Sequence, residues 1–214
     1  MYPLFLATTA AEWLAVLEKE IAFPAQRPII VGGVNVREPR DVVFYGLEGI
    51  SAIQYARLRR CPAPMPPCVC LLLQKLSKIR EHMAQLMKRP MPVLNAVLIN
   101  HYRDGFDSMG FHSDNYDAMG PEPLILSVSF GAARKFVVKT ITNTHKHTVT
   151  LSAGSVFVMY GKTIQQHWHH ALPKTNLPCL PRWNLSFCFH IQRQEEEQNA
   201  IRKLKKHQKS IYFK

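Results

Sequence analysis

Residues 110–120 read GFHSDNYDAMG, and within them His112 and Asp114 could do chemistry together. Side chains two apart point the same way only from an extended strand or its end. An imidazole and a carboxylate aimed together are either a solvated turn or two ligands of one metal. The metal reading requires a third ligand from another strand. Two neutral imidazoles and one carboxylate on one face of an octahedron suit Fe(II) and leave three positions open. HWHHALP (167–173) offers His167, His169 and His170. Strand alternation puts His167 and His169 on one side and His170 on the other, so spacing does not choose among them. A zinc site or a surface cluster fits the same strip.

These residues need a scaffold of strands, and the chain supplies one. From Val93 onward it reads VLNAVLINHY, PLILSVSF, KFVVKTIT, HTVTLSAGSVFVMY and RWNLSFCFHIQ, separated by Gly, Pro, Asn and Asp turns with no long helix between. In the last of these, Trp183, Leu185, Phe187, Phe189 and Ile191 fall on one side and belong to a core. Arg182, Asn184, Ser186, Cys188 and His190 fall on the other, which lines a cavity or meets water. Upstream, Thr9 and Glu12 have capping-box spacing before an apolar stripe of Trp13, Val16, Leu17 and Ile21, and Pro24 and Pro28 end that helix. Residues 29–56 read as short strands and turns, and RLRRCPAPMPPC (57–68) as a loop. Leu72, Leu76, Ile79, Met83 and Leu86 predict a helix over 71–89, stopped by Pro90 and Pro92. Helices followed by many strands make an α+β protein whose second half is a jelly roll or barrel.

The bulk numbers bound the class. At 214 residues, 47% hydrophobic, the chain suits one domain of generous size. A formal net charge of +12 points to a polyanionic partner, nucleic acid first. Five cysteines without a C-x-x-C pair suggest neither a disulfide framework nor a Cys-rich zinc site. No secretory signal and no bilayer-spanning stretch is apparent, so an intracellular protein without membrane attachment is expected. The tail RQEEEQNAIRKLKKHQKSIYFK reads as a frayed or helical basic extension.

NHYRDGFDSMGFHSD (100–114), SVSFGAARKF (127–136), GSVFVMYGKTIQQHWHHALP (154–173) and PRWNLSF (181–187), in that order, resemble the AlkB family, most nearly its animal DNA-repair members. The likeness is strong over residues 93–191 and looser upstream, where a helix and EPRDVVFYG carry it. The resemblance implies a double-stranded β-helix (jelly-roll) dioxygenase core over 93–191, with N-terminal helices and strands packed on it. It further implies a nucleotide-recognition region over 1–92 and a basic tail over 192–214. It implies Fe(II), 2-oxoglutarate and dioxygen, and oxidative removal of methyl groups from bases such as 1-methyladenine or 3-methylcytosine in DNA or RNA. By the same match His112, Asp114 and His170 are the iron ligands. Asn100, Tyr102, Arg182 and Asn184 hold 2-oxoglutarate, with Arg182 on its distal carboxylate. Arg40, Tyr45, Tyr116 and Asp117 are the residues expected to meet substrate.

Three departures stand out against that family pattern. Cys188 occupies the place of a second cosubstrate arginine, which allows an alternative: an impaired, AlkB-like nucleic-acid-binding protein. Tyr116 stands where repair enzymes carry an acidic residue, and Asp117 is one step away. Val31 or Gly32 falls where duplex-repair members carry an aromatic finger, so single-stranded DNA or RNA is expected over duplex. A monomer acting in the nucleus completes these expectations, with RKLKKHQK as the nuclear signal.

Overall fold

A computed structural model of the chain describes Leu6 and residues 9–26, 28–31, 33–55 and 58–192, without the side chains of Val31, Tyr55, Tyr116 and Asp117. The basic tail, with the RKLKKHQK run expected to be a nuclear signal, lies outside the described residues. In chain order the elements are α1 (Ala10–Glu20), β1 (Pro28–Val31), β2 (Val34–Arg37), β3 (Asp41–Gly46), β4 (Ile53–Tyr55), β5 (Leu58–Arg60), β6 (Ala63–Pro64) and α2 (Pro67–Leu86). There follow β7 (Ala96–Tyr102), β8 (Met109–His112), β9 (Leu124–Gly131), β10 (Arg134–Thr140), β11 (Lys146–Leu151) and β12 (Val156–Tyr160). The last three are α3 (Lys162–His167), β13 (Trp168–Leu172) and β14 (Arg182–Cys188).

Strands β7 to β14 divide into two facing sheets. The larger runs β12-β9-β14-β7-β3-β6 and the smaller β11-β10-β13-β8. This is the jelly roll, and β3 lengthens it by pairing antiparallel with β7 from Asp41↔His101 to Gly46↔Ala96. Strands β3 and β6 of the N-terminal part therefore share a sheet with the second half of the chain.

Alternation along the larger sheet decides what faces where. Val43, Val97, Ile99, Leu126, Val128, Phe130, Trp183, Leu185 and Phe187 form one buried face with α1 and α2, through Leu17, Leu72, Leu76 and Ile79. Burying a side chain of this kind stabilises the fold by about 1.5–3 kcal/mol. The opposite face presents Val42, Phe44, Leu98, Asn100, Ser127, Asn184, Ser186 and Cys188 to a cavity between the sheets.

Local readings needed correction at four places. Thr9 is the N-cap of α1 but its side chain makes no capping bond; its hydroxyl donates back to Leu6 O at 3.5 Å. Residues 57–68 are not all loop. They hold β5 and β6, and α2 begins at Pro67, where a proline costs no helical hydrogen bond. The carboxylate of Glu20 on α1 accepts the Cys68 amide at 3.1 Å, satisfying one of the orphan donors there. Leu86 is 67% exposed because the core ends one turn earlier, at Met83. Finally, β14 stops at Cys188, so Phe189 and Ile191 leave the core face.

Candidate active site

His112 ends β8 and His170 lies in the middle of β13, and the two are direct cross-strand neighbours on the smaller sheet. The loop after β8 brings Asp114 to both. His112 Nε2 lies 4.0 Å from Asp114 Oδ1 and His170 Nε2 lies 3.6 Å from Asp114 Oδ2. The three ligand atoms lie within 4.8 Å of one another, the one such cluster among the described residues. Of the three candidate histidines, tertiary structure picks His170. His167 belongs to α3, and β13 starts after it, at Trp168. His169 must then point to the opposite face from His170.

Neighbours orient these ligands. His112 Nδ1 meets Gly110 O at 2.8 Å, which leaves Nε2 for a metal. Gln165 on α3 accepts the Asp114 backbone N–H at 3.0 Å and so fixes the ligand loop. The His170 ring stacks on Phe136, centroids 5.4 Å apart. Burial pushes the His170 imidazole down to about 4, with Asp114 pulling the other way and His112 and His169 adding to the fall. Its nitrogen is therefore kept clear of protons and available to a cation at neutral pH.

That shift has a consequence for stability. The unfolded chain protonates this histidine near 6.5 whereas the metal-free fold resists until about 4. The unfolded state binds the extra proton, so stability is lost as pH falls through that window. We expect the metal-free protein to lose about 3 kcal/mol between pH 7 and pH 4 from this group. Urea melts across that range test it; His170→Gln must flatten the profile.

The triad opens into a cavity of about 290 Å³. Asn100 and Asn184, register partners on β7 and β14, line it together with Tyr102. Asn100 Oδ1 accepts from Arg40 Nε at 2.7 Å, and Asn184 Nδ2 donates to Ser127 Oγ at 3.0 Å and to Ser186 Oγ at 3.2 Å. Arg182 lies behind this end, opposite Tyr102 in the register, and is completely buried. One of its nitrogens, Nη2, donates to Ser129 Oγ at 3.0 Å; Nε and Nη1 have no partner among the described residues. Burial lowers its pKa to about 10, so it stays a cation. A buried guanidinium with two idle donors is costly unless an anion meets it. The donor sets therefore fit both groups: His112, Asp114 and His170 fit Fe(II), and Arg182 fits a carboxylate.

The substrate-side expectations fare unevenly. Arg40, 2% exposed, lines the cavity and reaches Glu38 Oε1 at 3.2 Å. Tyr45 does not line it: strand alternation turns Tyr45 into the core with Val43, while Val42 and Phe44 face the cavity. The Tyr116 and Asp117 side chains lie outside the described residues, although both sit in the 3-10 turn Tyr116–Met119 after the ligand loop. Sequence reasoning missed Gln165 and Phe136; Arg60, one of three arginines in the 57–68 segment, lines the cavity and pairs with the same Glu38. No spacing signals them, because each meets the site through a different element. Cys188 lines the far end, among Phe44, Met119, Ile125 and Met159. Burial raises its thiol pKa, so it is a small neutral group and no substitute for a cation.

A jelly roll with a His-x-Asp…His cluster between its sheets and a buried cation behind the cavity defines a class, and residues 1–206 match the 2OG-Fe(II) oxygenase superfamily, to which the chain belongs. Within it, the chain falls in the AlkB branch. It is 32% identical over 194 residues to human "DNA oxidative demethylase ALKBH2", covering 86% of this chain and 70% of that one. To mouse "Alpha-ketoglutarate-dependent dioxygenase alkB homolog 3" it is 31% identical over 197 residues, covering 87% of this chain and 64% of that one. A solved structure, "The structure of OsALKBH1", superposes with a TM-score of 0.61 over 88% of this chain and 95% of that one; at 16% identity this speaks for the fold alone. No helix among the described residues is long and apolar enough to cross a membrane.

Proposed function

We propose that this chain is an Fe(II)- and 2-oxoglutarate-dependent oxidative demethylase of alkylated nucleic-acid bases, of the 1-methyladenine or 3-methylcytosine type. One observation carries it: the His112–Asp114–His170 cluster opens into a cavity behind which the anion-seeking Arg182 is buried, opposite Tyr102 in the register. Bound Fe(II), with 2-oxoglutarate and dioxygen, supplies the oxidation that turns an N-methyl into an N-hydroxymethyl group, which leaves as formaldehyde; succinate and carbon dioxide are the other products. The chain's own residues bind and orient. His112, Asp114 and His170 hold the cation, Asn100, Tyr102 and Asn184 frame the cosubstrate, and Arg182 takes its distal carboxylate. Phe136, Leu172 and Met109 wall this end with apolar surface and keep water out.

A nucleic-acid substrate is supported by the charge distribution. No Asp or Glu occurs from residue 123 to residue 194, a stretch in which Lys135, Lys146, Lys162 and Lys174 are exposed. Arg40 at the cavity wall, with Tyr116 and Asp117 on the loop after the ligands, is the set that meets the base, and residues 1–92 bring the nucleotide to it. The β1–β2 hairpin, residues 28–37, holds no aromatic residue to fill the gap left by a flipped base. Single-stranded DNA or RNA is accordingly the preferred substrate. A monomer working in the nucleus is the cellular setting of this proposal.

Cys188 favours a second reading, a nucleic-acid-binding protein with a damaged cosubstrate site. The two are separated by anaerobic titration of 2-oxoglutarate into the Mn(II)-loaded protein, with Cys188→Arg beside it. The unmodified chain is expected to bind at micromolar concentration, and Cys188→Arg to tighten binding roughly tens-fold, the worth of one charged contact of about 2 kcal/mol. Binding seen only with the arginine would favour the second reading. Binding by neither form would sink the first. A panel of methylated oligonucleotides then identifies the base.

A further inference from the structure

Arg134 opens β10 three residues after Gly131, the register partner of Arg182 on the larger sheet. The turn between them is tight: Gly131 has φ of 75°, a Cβ there would meet Pro181 O at 2.3 Å, and Ala132 N donates to that same carbonyl at 3.0 Å. Arg134 is 4% exposed, yet its guanidinium meets no carboxylate among the described residues. Instead it spans backbone carbonyls. Nη1 donates to Asp104 O at 3.0 Å; Nη2 donates to Asp107 O at 3.0 Å and Pro173 O at 2.7 Å, with Gly105 O further off at 3.4 Å.

The acids nearest in that loop are turned away. Asp104 Oδ1 accepts the backbone N–H groups of Phe106 and Asp107, and the Asp107 carboxylate pairs with Arg103 at 2.7 Å. The fold thus buries two guanidinium groups on adjoining turns, with no counter-anion for either among the described residues. Arg134 itself depresses the Arg182 pKa further, after burial. Carbonyl dipoles satisfy the donors of Arg134 without cancelling its charge. The carbonyls it joins belong to the loop that leads into the His112 strand and to the residue that follows the His170 strand.

We propose that Arg134 is a positioning residue for 2-oxoglutarate, tightening the hold of Arg182 on the distal carboxylate by placing a second uncompensated positive charge behind it. This rests on the reading that Arg182 receives that carboxylate. A purely mechanical cross-link would not require a cation, since neutral amide donors also bond carbonyls.

The test titrates the Mn(II)-loaded full chain, without dioxygen, with 2-oxoglutarate and with 2-oxopentanoate, which has the same carbon chain but no distal carboxylate. Arg134→Gln keeps donors without charge; Arg134→Lys keeps the charge. Arg134→Gln is expected to weaken 2-oxoglutarate about tenfold, ~1.4 kcal/mol, and to leave 2-oxopentanoate and Mn(II) affinities within twofold. Arg134→Lys should restore most of the loss. Equal weakening of both acids, or failure of lysine to rescue, would reduce Arg134 to a structural brace and overturn the inference. Unchanged 2-oxoglutarate affinity in Arg134→Gln would overturn it as well. Absence of 2-oxoglutarate binding by the unmodified chain is a different failure, and it would remove the dioxygenase reading beneath.

Discussion

Arg182→Met is expected to weaken 2-oxoglutarate binding by roughly two orders of magnitude while making the ligand-free protein more stable. The two effects share one cause. Among the described residues Arg182 is wholly buried, donates to Ser129, and leaves Nε and Nη1 without partners. Each idle buried donor costs about 1–3 kcal/mol, and methionine fills similar space with none. Losing the Ser129 contact offsets about 1 kcal/mol of that gain. With two such donors the net gain is about 1–5 kcal/mol, and at about 2–4 °C per kcal/mol for a chain of this size the melting temperature should rise by at least ~2 °C and up to ~20 °C. Removing one side of a buried charge pair costs about 2–5 kcal/mol of affinity, hence the loss of cosubstrate. Calorimetry of the ligand-free protein and a cosubstrate titration read the two halves separately. A variant that melts lower, yet binds 2-oxoglutarate as well as before, would show that the idle donors are not a carboxylate site.

The second large effect lies at the metal. Asp114→Ala should reduce Mn(II) or Fe(II) affinity at least ~100-fold, since altering a mere outer-shell neighbour of a metal ligand costs 10–100-fold. Turnover should vanish with it. The fold should survive, because the Asp114 side chain is about a quarter exposed and its link to Gln165 runs through the backbone N–H. His167→Ala and His169→Ala serve as controls: neither belongs to the cluster, so metal affinity should hold. Manganese binding followed by electron paramagnetic resonance provides the readout. Full turnover in Asp114→Ala, or loss of metal in His169→Ala, would refute the assigned ligand set.

How much of this was legible beforehand differs by the range of the interaction. The sheet-forming runs after Val93 and the helix around Leu72–Met83 could be read from period alone, because each face is buried against a neighbour that tolerates only apolar side chains. Terminal detail could not. Leu86 continues the stripe of α2 but sits past the end of the core, and Thr9 has the right spacing for a capping box whose bond is not made. Tyr45 shows the same limit within a strand. The resemblance suggested it near the base, while strand parity, visible only once β3 is paired with β7, turns it away.

By itself the sequence determined that an imidazole and a carboxylate two apart would point the same way, that strands would carry them, and that the last strand would have one apolar and one polar face. Those are local consequences of backbone geometry, which every residue in the run obeys. Which of three histidines completes the cluster was decided by tertiary structure: α3 absorbs His167, so β13 enters the sheet with His170 across from His112. Tertiary structure also left Arg182 without an anion among the described residues and gave Arg134 carbonyls in place of carboxylates. Charge and burial at such positions depend on what distant segments bring into contact, and no spacing along one strand encodes that.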